Sequence, residues 1–180
     1  MKVFLNEIVV YIETKKKSMI RAIMAVDDKG GISKNGSMPW PKNSSDLKWF
    51  KKNTLNSLVV MGRLTWEDPF MPTPLKDRIN VLITNQNKEN YMGADEYISE
   101  DIVNSILNLS IKYSHKDIFI IGGAKILNQL FELVEEFYLT RIYGNFDCDK
   151  NIDLPKIQES MSMINKIEND ETCHFEIWKK

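Results

Sequence analysis

Short apolar runs alternate along the chain with longer segments in which apolar residues recur every three or four positions. The runs are rich in β-branched residues and end at polar or glycine positions, which is typical of buried strands. They cover residues 20–26, 58–61, 79–83 and 118–121. The intervening segments predict amphipathic helices over residues 45–53, 101–112 and 124–136. Strands that alternate with helices in this way indicate an α/β fold.

The predicted fold is a single domain with a mostly parallel central β-sheet and helices on both faces. Two late strands, over residues 137–143 and 174–178, have no helix after them and predict an antiparallel C-terminal edge. The chain has 180 residues, enough for one hydrophobic core, which we assign to a domain over residues 19–180. Residues 1–18 are interpreted as an N-terminal extension with room for one added strand, and Met19 is an alternative start.

The composition is that of a globular protein and narrows the range of partners. Hydrophobic residues make up 43% and charged residues 27%, and the formal net charge of −1 argues against a nucleic-acid-binding surface. No apolar run reaches the length of a membrane span, and Asn6 and Glu7 interrupt the N-terminal apolar stretch, so we expect no signal peptide. Cys148 and Cys173 lack metal-ligand spacing. We therefore expect reduced thiols, no metal site and a cytoplasmic protein.

Two turns combine a strand end, a glycine and a helix start. At Gly122 and Gly123, paired glycines let a bound group approach the backbone, and free N–H groups of the next helix favour a phosphate. After Gly62, the Arg63 side chain can grip a phosphate in bidentate fashion and can favour NADP over NAD. By itself the Gly122 turn is equally compatible with a ligand-free connection from strand to helix. The alternative for Arg63 is a surface arginine that caps nothing in particular. Together they favour a dinucleotide that carries an extra phosphate.

The segment GGISKNGSMPW, residues 30–40, has turn-forming glycines and an apolar end. Such a loop can act as a flexible lid that excludes water from a reaction. The alternative is an ordinary strand-to-helix connection anchored by a buried Trp40, and the local sequence by itself favours this alternative.

Asp46 is the acidic residue with the sharpest signal. Ser44 and Ser45 predict a helix start, and the helix then places Asp46 on one face with Leu47 and Phe50. A carboxylate among apolar side chains is costly unless it is paired. A ligand with two N–H donors, such as the edge of a pterin, can pair with it. The alternative role for Asp46 is to complement the dipole of the helix from its first turn.

The ordered set of these segments resembles dihydrofolate reductase. The chain reads AIMAVD, GISKNGSMPW, DLKWFKKNT, VVMGRLTWE, IIGGAKIL, YLTRIY and HFEIW, and the resemblance covers residues 19–180. It implies an enzyme that transfers a hydride from NADPH to 7,8-dihydrofolate and forms 5,6,7,8-tetrahydrofolate. That product supports one-carbon metabolism and the synthesis of thymidylate and purines. We expect a monomer because the chain is a single small domain.

The resemblance also implies a role for each matched position. The catalytic set is Asp46, Trp40 and Thr140; Asp46 binds the pterin and supports its protonation, and Thr140 hydrogen-bonds the Asp46 carboxylate. The substrate pocket is formed by Ile23, Met24, Ala25, Leu47, Phe50, Arg78 and Ile121, with Arg78 on the glutamate carboxylate. The NADPH site is formed by Ala25, Ile32, Ser37, Met38, Gly62, Arg63, Leu64, Thr65, Thr84, Asn85, Gly122, Gly123, Ala124 and Lys125. Asp149 matches an acidic position that hydrogen-bonds the closed lid.

Several positions depart from the usual pattern of that family. Ser33 stands in place of a glycine, Leu127 in place of a tyrosine, Asp68 in place of a small hydroxyl residue, and Lys150 in place of a threonine. The loop before Arg78 is longer than in common bacterial members. These departures bear on rate, lid motion and inhibitor affinity more than on the class of reaction.

Two other functions remain open on sequence alone. A related reductase of flavin synthesis, which acts on a ribosylated pyrimidine, shares the sheet and both phosphate turns. A binding protein that kept the pocket and lost turnover is the second alternative. Asp46 and the Met-Pro-Trp segment argue against the first, and the intact set of Asp46, Thr140, Gly122 and Gly123 argues against the second.

Overall fold

The computed structural model describes residues 17–180, so nearly all of the extension assigned to residues 1–18 lies outside the described residues. The strands are β1 (Ile20–Val26), β2 (Gly31–Ser33), β3 (Leu58–Gly62), β4 (Ile79–Ile83), β5 (Glu96–Ile98), β6 (Ile118–Gly122), β7 (Glu136–Ile142), β8 (Lys150–Asn151), β9 (Ser162–Asp170) and β10 (Cys173–Lys179). The α-helices are α1 (Ser44–Thr54), α2 (Arg63–Trp66), α3 (Ile102–Lys112), α4 (Ala124–Leu130) and α5 (Leu154–Ser160). Short 3₁₀ turns lie at Lys88–Asn90 and Phe131–Leu133.

The main sheet has the strand order β5-β4-β3-β6-β1-β7-β10-β9. Neighbours from β5 to β7 are parallel, whereas β10 runs antiparallel to both β7 and β9. The prediction of a mostly parallel sheet with an antiparallel C-terminal part is therefore confirmed. The strand at the antiparallel edge is β9, which the sequence did not predict. All nine residues of β9 are exposed, so it lacks the alternation of buried and exposed positions that marks a half-buried strand.

Helices cover both faces of the sheet, as predicted. On one face, Ile20 and Ala22 of β1 pack in a cluster with Ile106 of α3 and Leu130 of α4. On the other face, Ile23 lies in a second cluster that also includes Trp49 and Phe50 of α1. Burial on both faces explains why the central strands read as continuous apolar runs.

The helix predicted over residues 124–136 was too long. The α-helix ends at Leu130, a 3₁₀ turn follows, and Glu136 already begins β7. The apolar stripe is real, because Ile126, Leu130, Phe131 and Val134 all pack into the first cluster. Val134 reaches that cluster from extended backbone, however, so tertiary packing overrides the helical period at the end of the segment.

The predicted lid loop is more ordered than its glycine content suggests. Strand β2 within it pairs antiparallel with β8, and Lys34 forms a bridge with Ser37. The two residues between them, Asn35 and Gly36, have φ angles of 52° and 85°. Positive φ at both central positions is the geometry of a tight type I′ hairpin. The lid, residues 30–40, therefore begins as a short hairpin laid against β8.

Candidate active site

Asp46 lies in the first turn of α1, with a side chain that is only 9% exposed. The helix begins at Ser44 as expected, but its N-cap is Asn43, whose side-chain oxygen accepts from the Asp46 backbone N–H at 3.0 Å. Burial raises the pKa of the Asp46 carboxyl, and no lysine, arginine or histidine of residues 17–180 pairs with it. The site therefore holds a buried acid without a protein cation.

Thr140 faces this acid from β7. Its hydroxyl acts against burial and lowers the pKa of Asp46, although the effect of burial is larger. The Thr140 Oγ1 atom is itself buried and makes no hydrogen bond of ordinary geometry to any described residue. The two groups lie near each other, but the hydrogen bond that the resemblance implied between them does not have standard geometry. A buried acid beside a buried hydroxyl without a partner is a site shaped for a polar ligand.

Two adjoining cavities meet at Asp46 and share Met38, Leu47 and Phe70 in their walls. The outer cavity, of about 470 Å³, is also lined by Trp40, Lys42, Asn43 and Pro69. The inner one, of about 240 Å³, is lined by Ile23, Met24, Ala25, Phe50, Lys51, Met71, Pro72, Leu75, Arg78 and Ile121. Every residue predicted for the substrate pocket therefore lines the inner cavity. It is a largely apolar slot with one buried acid and, elsewhere in its wall, Lys51 and Arg78.

The Arg78 guanidinium is fixed against the last turn of α1. Its Nη2 donates to Thr54 Oγ1 at 3.1 Å, and its Nη1 donates to the Lys76 carbonyl at 2.8 Å. Partial burial lowers the pKa of Arg78, and no carboxylate of residues 17–180 forms an ion pair with it. A held arginine without a carboxylate partner can receive one from a ligand.

A third cavity, of about 160 Å³, joins the inner substrate cavity to the lid. Met24, Ala25, Met38, Met71 and Ile121 line both spaces. The remaining wall comes from the lid, the two glycine turns and two further residues: Ile32, Ser33, Gly36, Leu64, Thr65, Gly122, Asp68 and Lys150. A planar group here would lie directly beside one held near Asp46.

The two glycine turns face each other across a fourth cavity of about 410 Å³. Its lining includes Gly62, Arg63, Leu64, Thr65, Ile83, Thr84, Asn85, Ser99, Ile102, Gly123, Lys125, Ile126 and Gln129. Neither α2 nor α4 has a side-chain cap at its N-terminus, so the first backbone N–H groups of both helices have no capping side chain among the described residues. Gly122 has a φ of +135°, and a Cβ there would lie 3.1 Å from Thr65 Oγ1. The turns are thus closely packed and lined with basic side chains.

A profile of the family described as dihydrofolate reductase matches residues 19–179. The chain belongs to the dihydrofolate reductase family. It is 32% identical over 166 residues to a putative dihydrofolate reductase of Caenorhabditis elegans, with 83% of this chain and 86% of that protein covered. It is 38% identical over 130 residues to the dihydrofolate reductase of Buchnera aphidicola, with 70% and 73% covered.

A solved structure gives the same relationship. Dihydrofolate reductase from Enterococcus faecalis, complexed with NADP(H) and RAB-propyl, aligns with a TM-score of 0.75 and 27% sequence identity. The alignment covers 89% of this chain and 95% of that one. The fold expected from the sequence is therefore confirmed, and the comparison adds a family member whose structure holds NADP(H).

Most of the positions predicted for NADPH line a cavity. All but two line the third or the fourth cavity. Ser37 lies on the lid and donates to Asp68 Oδ1 at a long 3.4 Å, and Ala124 starts α4 without lining either space. Trp40 is buried in the wall of the outer cavity, where its ring meets Phe146 edge-on.

Asp149 contacts the lid as the resemblance implied. Its carboxylate accepts from the Asn35 N–H at 3.0 Å, and its own N–H donates to the Ser33 carbonyl at 2.9 Å.

Sequence reasoning missed part of the site of this dihydrofolate reductase. Lys51 lies one turn beyond Leu47 on the same helix, so helical spacing could have identified it. Phe70, Met71 and Leu75 come from an irregular loop whose sequence has no period. Ser99 follows β5, and Gln129 lies on α4. In residues 17–180, none of the helices is long and apolar enough to cross a membrane.

Proposed function

We propose that this member of the family transfers a hydride from NADPH to 7,8-dihydrofolate and forms 5,6,7,8-tetrahydrofolate. The observation that carries the proposal is the buried, unpaired Asp46 carboxylate in a cavity that is continuous with the space beside the Gly122 turn. An acid alone would suit many ligands. An acid next to a second space, lined by residues of the two glycine turns, suits a polar heterocycle that reacts with a dinucleotide.

The residues of the two turns fit NADPH. Arg63 and Lys125 supply positive charge, and glycine at positions 62, 122 and 123 leaves the backbone open to phosphate. Thr84 and Asn85 follow β4, where they offer side chains to the adenosine end. When bound, NADPH supplies the hydride.

The protein's part in the reaction follows from its own groups. The Asp46 carboxylate accepts two N–H donors of the pterin and stabilises the positive charge that develops as the C=N nitrogen gains a proton from water. Thr140 restricts the orientation of that carboxylate. Leu47, Phe50 and Ile121 confine the pterin to one plane, and Arg78 holds the carboxylate of the glutamate tail. The lid residues Ile32 and Met38 cover the third cavity, where the substrate and cofactor spaces meet, and keep bulk water away.

The direct test mixes purified full-length protein with NADPH and 7,8-dihydrofolate and follows the loss of NADPH absorbance. Substrate-dependent loss with formation of tetrahydrofolate supports the proposal. No loss, with NADPH still bound by fluorescence titration, would favour the binding protein. Loss only with a ribosylated pyrimidine of flavin synthesis would favour the other reductase.

Arg63→Ala is expected to raise the KM for NADPH by about 10- to 100-fold and to leave the KM for NADH nearly unchanged, because only NADPH offers a 2′-phosphate to a charge-assisted bond. Steady-state kinetics with both cofactors measure the difference. Glu67→Gln is the matched control, since Glu67 Oε2 accepts from Arg63 Nη1 at 2.6 Å and its change removes a neighbouring charge but keeps the arginine side chain itself. An equal loss for both cofactors would refute the assignment of Arg63.

Arg78→Gln is expected to raise the KM for dihydrofolate by about 10- to 100-fold with little change in kcat, because the lost bond joins Arg78 to the tail and not to the reacting ring. A 7,8-dihydropterin without the glutamate tail should be reduced equally by both proteins. Lys76→Gln removes a nearby positive charge that does not line the cavity and serves as control. A matching defect on the tail-free pterin would show that Arg78 shapes the pocket instead.

We also propose that the protein acts as a monomer in the cytoplasm and does not bind nucleic acid. The net charge of −1 supports the absence of nucleic-acid binding. The two cysteines, which form no disulfide with each other, support the cytoplasmic location. The charge includes the extension proposed over residues 1–18. Light scattering after size exclusion tests the monomer.

A further inference from the structure

Asp27 is a fully buried carboxylate outside the four cavities of the active site. It follows β1 directly and has an exposed fraction of 0%. Its Oδ1 accepts from the backbone N–H groups of Lys29 at 2.9 Å and Gly31 at 2.8 Å. Its Oδ2 accepts from the Phe146 N–H at 3.1 Å and from Cys148 Sγ at 3.6 Å. Within residues 17–180 it has no lysine, arginine or histidine as an ion-pair partner.

The four donors make this carboxylate an ionised acceptor. Burial acts to raise the pKa of Asp27, but the N–H groups of Gly31, Phe146 and Lys29 outweigh it and hold the pKa below its ordinary value. Burial and the neighbouring Asp27 charge raise the pKa of Cys148 to about 11, so its thiol keeps the proton that it donates. An uncompensated buried charge is costly, and here backbone dipoles compensate it.

The donors connect Asp27 to both ends of the lid. Gly31 is the first residue of β2 and lies at the start of the lid. At the other end, the Trp40 ring meets the Phe146 ring edge-on, with centroids 5.8 Å apart. The Phe146 backbone N–H is the one bound to Asp27 Oδ2. One carboxylate therefore fixes the start of the lid directly and its end through one aromatic contact.

The backbone at the base of the lid is too closely packed to shift. A Cβ on Gly31 would lie 2.5 Å from Cys148 Sγ and 2.9 Å from Asp27 Oδ2. Just before it, the Gly30 carbonyl accepts from the N–H of Ile152, the residue after β8, at 2.9 Å. Close packing and directional bonds thus meet at the base of the lid, while its tip at Lys34 to Gly36 is exposed.

We infer that Asp27 is a positioning residue that anchors both ends of the lid, through the Gly31 N–H at one end and through Phe146 and Trp40 at the other. The inference rests on the proposed function only in that the lid then covers the third cavity, where hydride transfer would occur. Asp27 lines none of the four cavities, so it acts on the reaction through the lid and not through substrate or cofactor.

Asp27→Asn is the deciding variant. The amide has the same shape, but its NH₂ group must face either the two donors on Oδ1 or the two on Oδ2 and repel them. Asp28→Asn is the matched control, because the neighbouring Asp28 carboxylate is exposed and accepts from the Gly144 N–H at 2.9 Å. Both variants lose one negative charge at adjacent positions.

Limited trypsin digestion followed by mass spectrometry reads the lid without any need for activity. Cleavage after the exposed Lys34 is expected to be about tenfold or more faster in Asp27→Asn than in wild type and Asp28→Asn, because loss of a buried bond lowers the cost of local opening. Cleavage after Lys88, in an exposed 3₁₀ turn, should be the same in all three and reports the global fold. Equal cleavage after Lys34 in all three would overturn the inference.

Kinetics separate anchoring from a merely structural role. In Asp27→Asn the KM for NADPH is expected to rise by about fivefold or more, while the KM for dihydrofolate changes less. The reason is that more lid residues line the third cavity than the substrate cavity. A fall in kcat with both KM values unchanged would overturn the inference. Failure of wild type to reduce dihydrofolate would reject the proposed function and leave the digestion result to decide the anchoring.

A second variant keeps the inference testable if Asp27→Asn is cleaved faster after both Lys34 and Lys88. Phe146→Leu retains the backbone N–H to Asp27 and removes only the ring that meets Trp40. Cleavage after Lys34 is expected to rise by about two- to fivefold, with Lys88 unchanged, because one end of the lid is released. No change after Lys34 in this variant would overturn the inference.

Discussion

Asp46→Asn is expected to lower kcat/KM for dihydrofolate reduction by about 100-fold or more, within the range of general acid–base effects. The amide offers one acceptor and one donor, so it can accept only one of two N–H groups and cannot stabilise a positive charge on the pterin. Asp153→Asn is the matched control, because it makes the same chemical change at an exposed helix N-cap far along the chain. Near-wild-type reduction by Asp46→Asn would refute the mechanism.

The same variant is expected to be more stable than wild type at neutral pH without ligand. Burial raises the pKa of Asp46 above its ordinary value of 3.8, so the folded state favours the protonated acid. The stability gained from this preference is complete below the unfolded pKa and is lost as the pH rises through the folded pKa. Thermal melts should therefore show Asp46→Asn ahead at pH 7 and the difference shrinking as the pH falls. Loss of activity with a gain in stability would identify the acid as functional and not structural.

The central strands could be predicted because their environment is simple. Residues of β3 and β6 are buried on both faces, so burial demands an uninterrupted apolar run. Strand β9 could not be predicted, because it is held through backbone bonds to β10 and its exposed side chains carry no pattern. The C-terminal edge was therefore placed one strand too early.

The lid shows a second limit of the sequence. Glycine and Asn-Gly at residues 30–36 signal turns, and turns suggest flexibility. Pairing of β2 with β8, more than 110 residues later in the chain, is a long-range contact that no local pattern encodes. The role of Asp27 could likewise not be predicted, since the sequence of an acid after a strand is typical of a surface turn. Only the structure shows its burial and its four donors.

The site was predicted through ordered motifs more than through physics of single residues. Asp46 alone was compatible with a helix-dipole role, and the structure keeps it in the first turn where both roles coexist. What the sequence could not supply was the irregular loop that carries Phe70 and Met71 into the substrate cavity. Loops of this kind are placed by packing and not by period.

Gly122→Ala is expected to weaken NADPH binding by about 10- to 100-fold. Gly122 has a φ of +135°, where an L side chain is strained, and its Cβ would lie 3.1 Å from Thr65 Oγ1 in the facing turn. Strain of about 1–3 kcal/mol must be relieved by moving one or both turns, and both line the cofactor cavities. Fluorescence titration with NADPH measures the loss.

Two further glycines separate the causes of that loss. Gly123→Ala adds a Cβ in the same turn at an ordinary φ of −84° and 3.8 Å from Thr65 Oγ1, so its effect should be smaller. Gly93→Ala introduces a comparable strain, at a φ of +100°, away from all four cavities, and it should lower the melting temperature without changing NADPH affinity. If Gly122→Ala instead binds NADPH like wild type while its melting temperature falls, the Gly122 turn serves the fold alone and the cofactor lies elsewhere. A loss of affinity that exceeds both controls would place the cofactor against this turn.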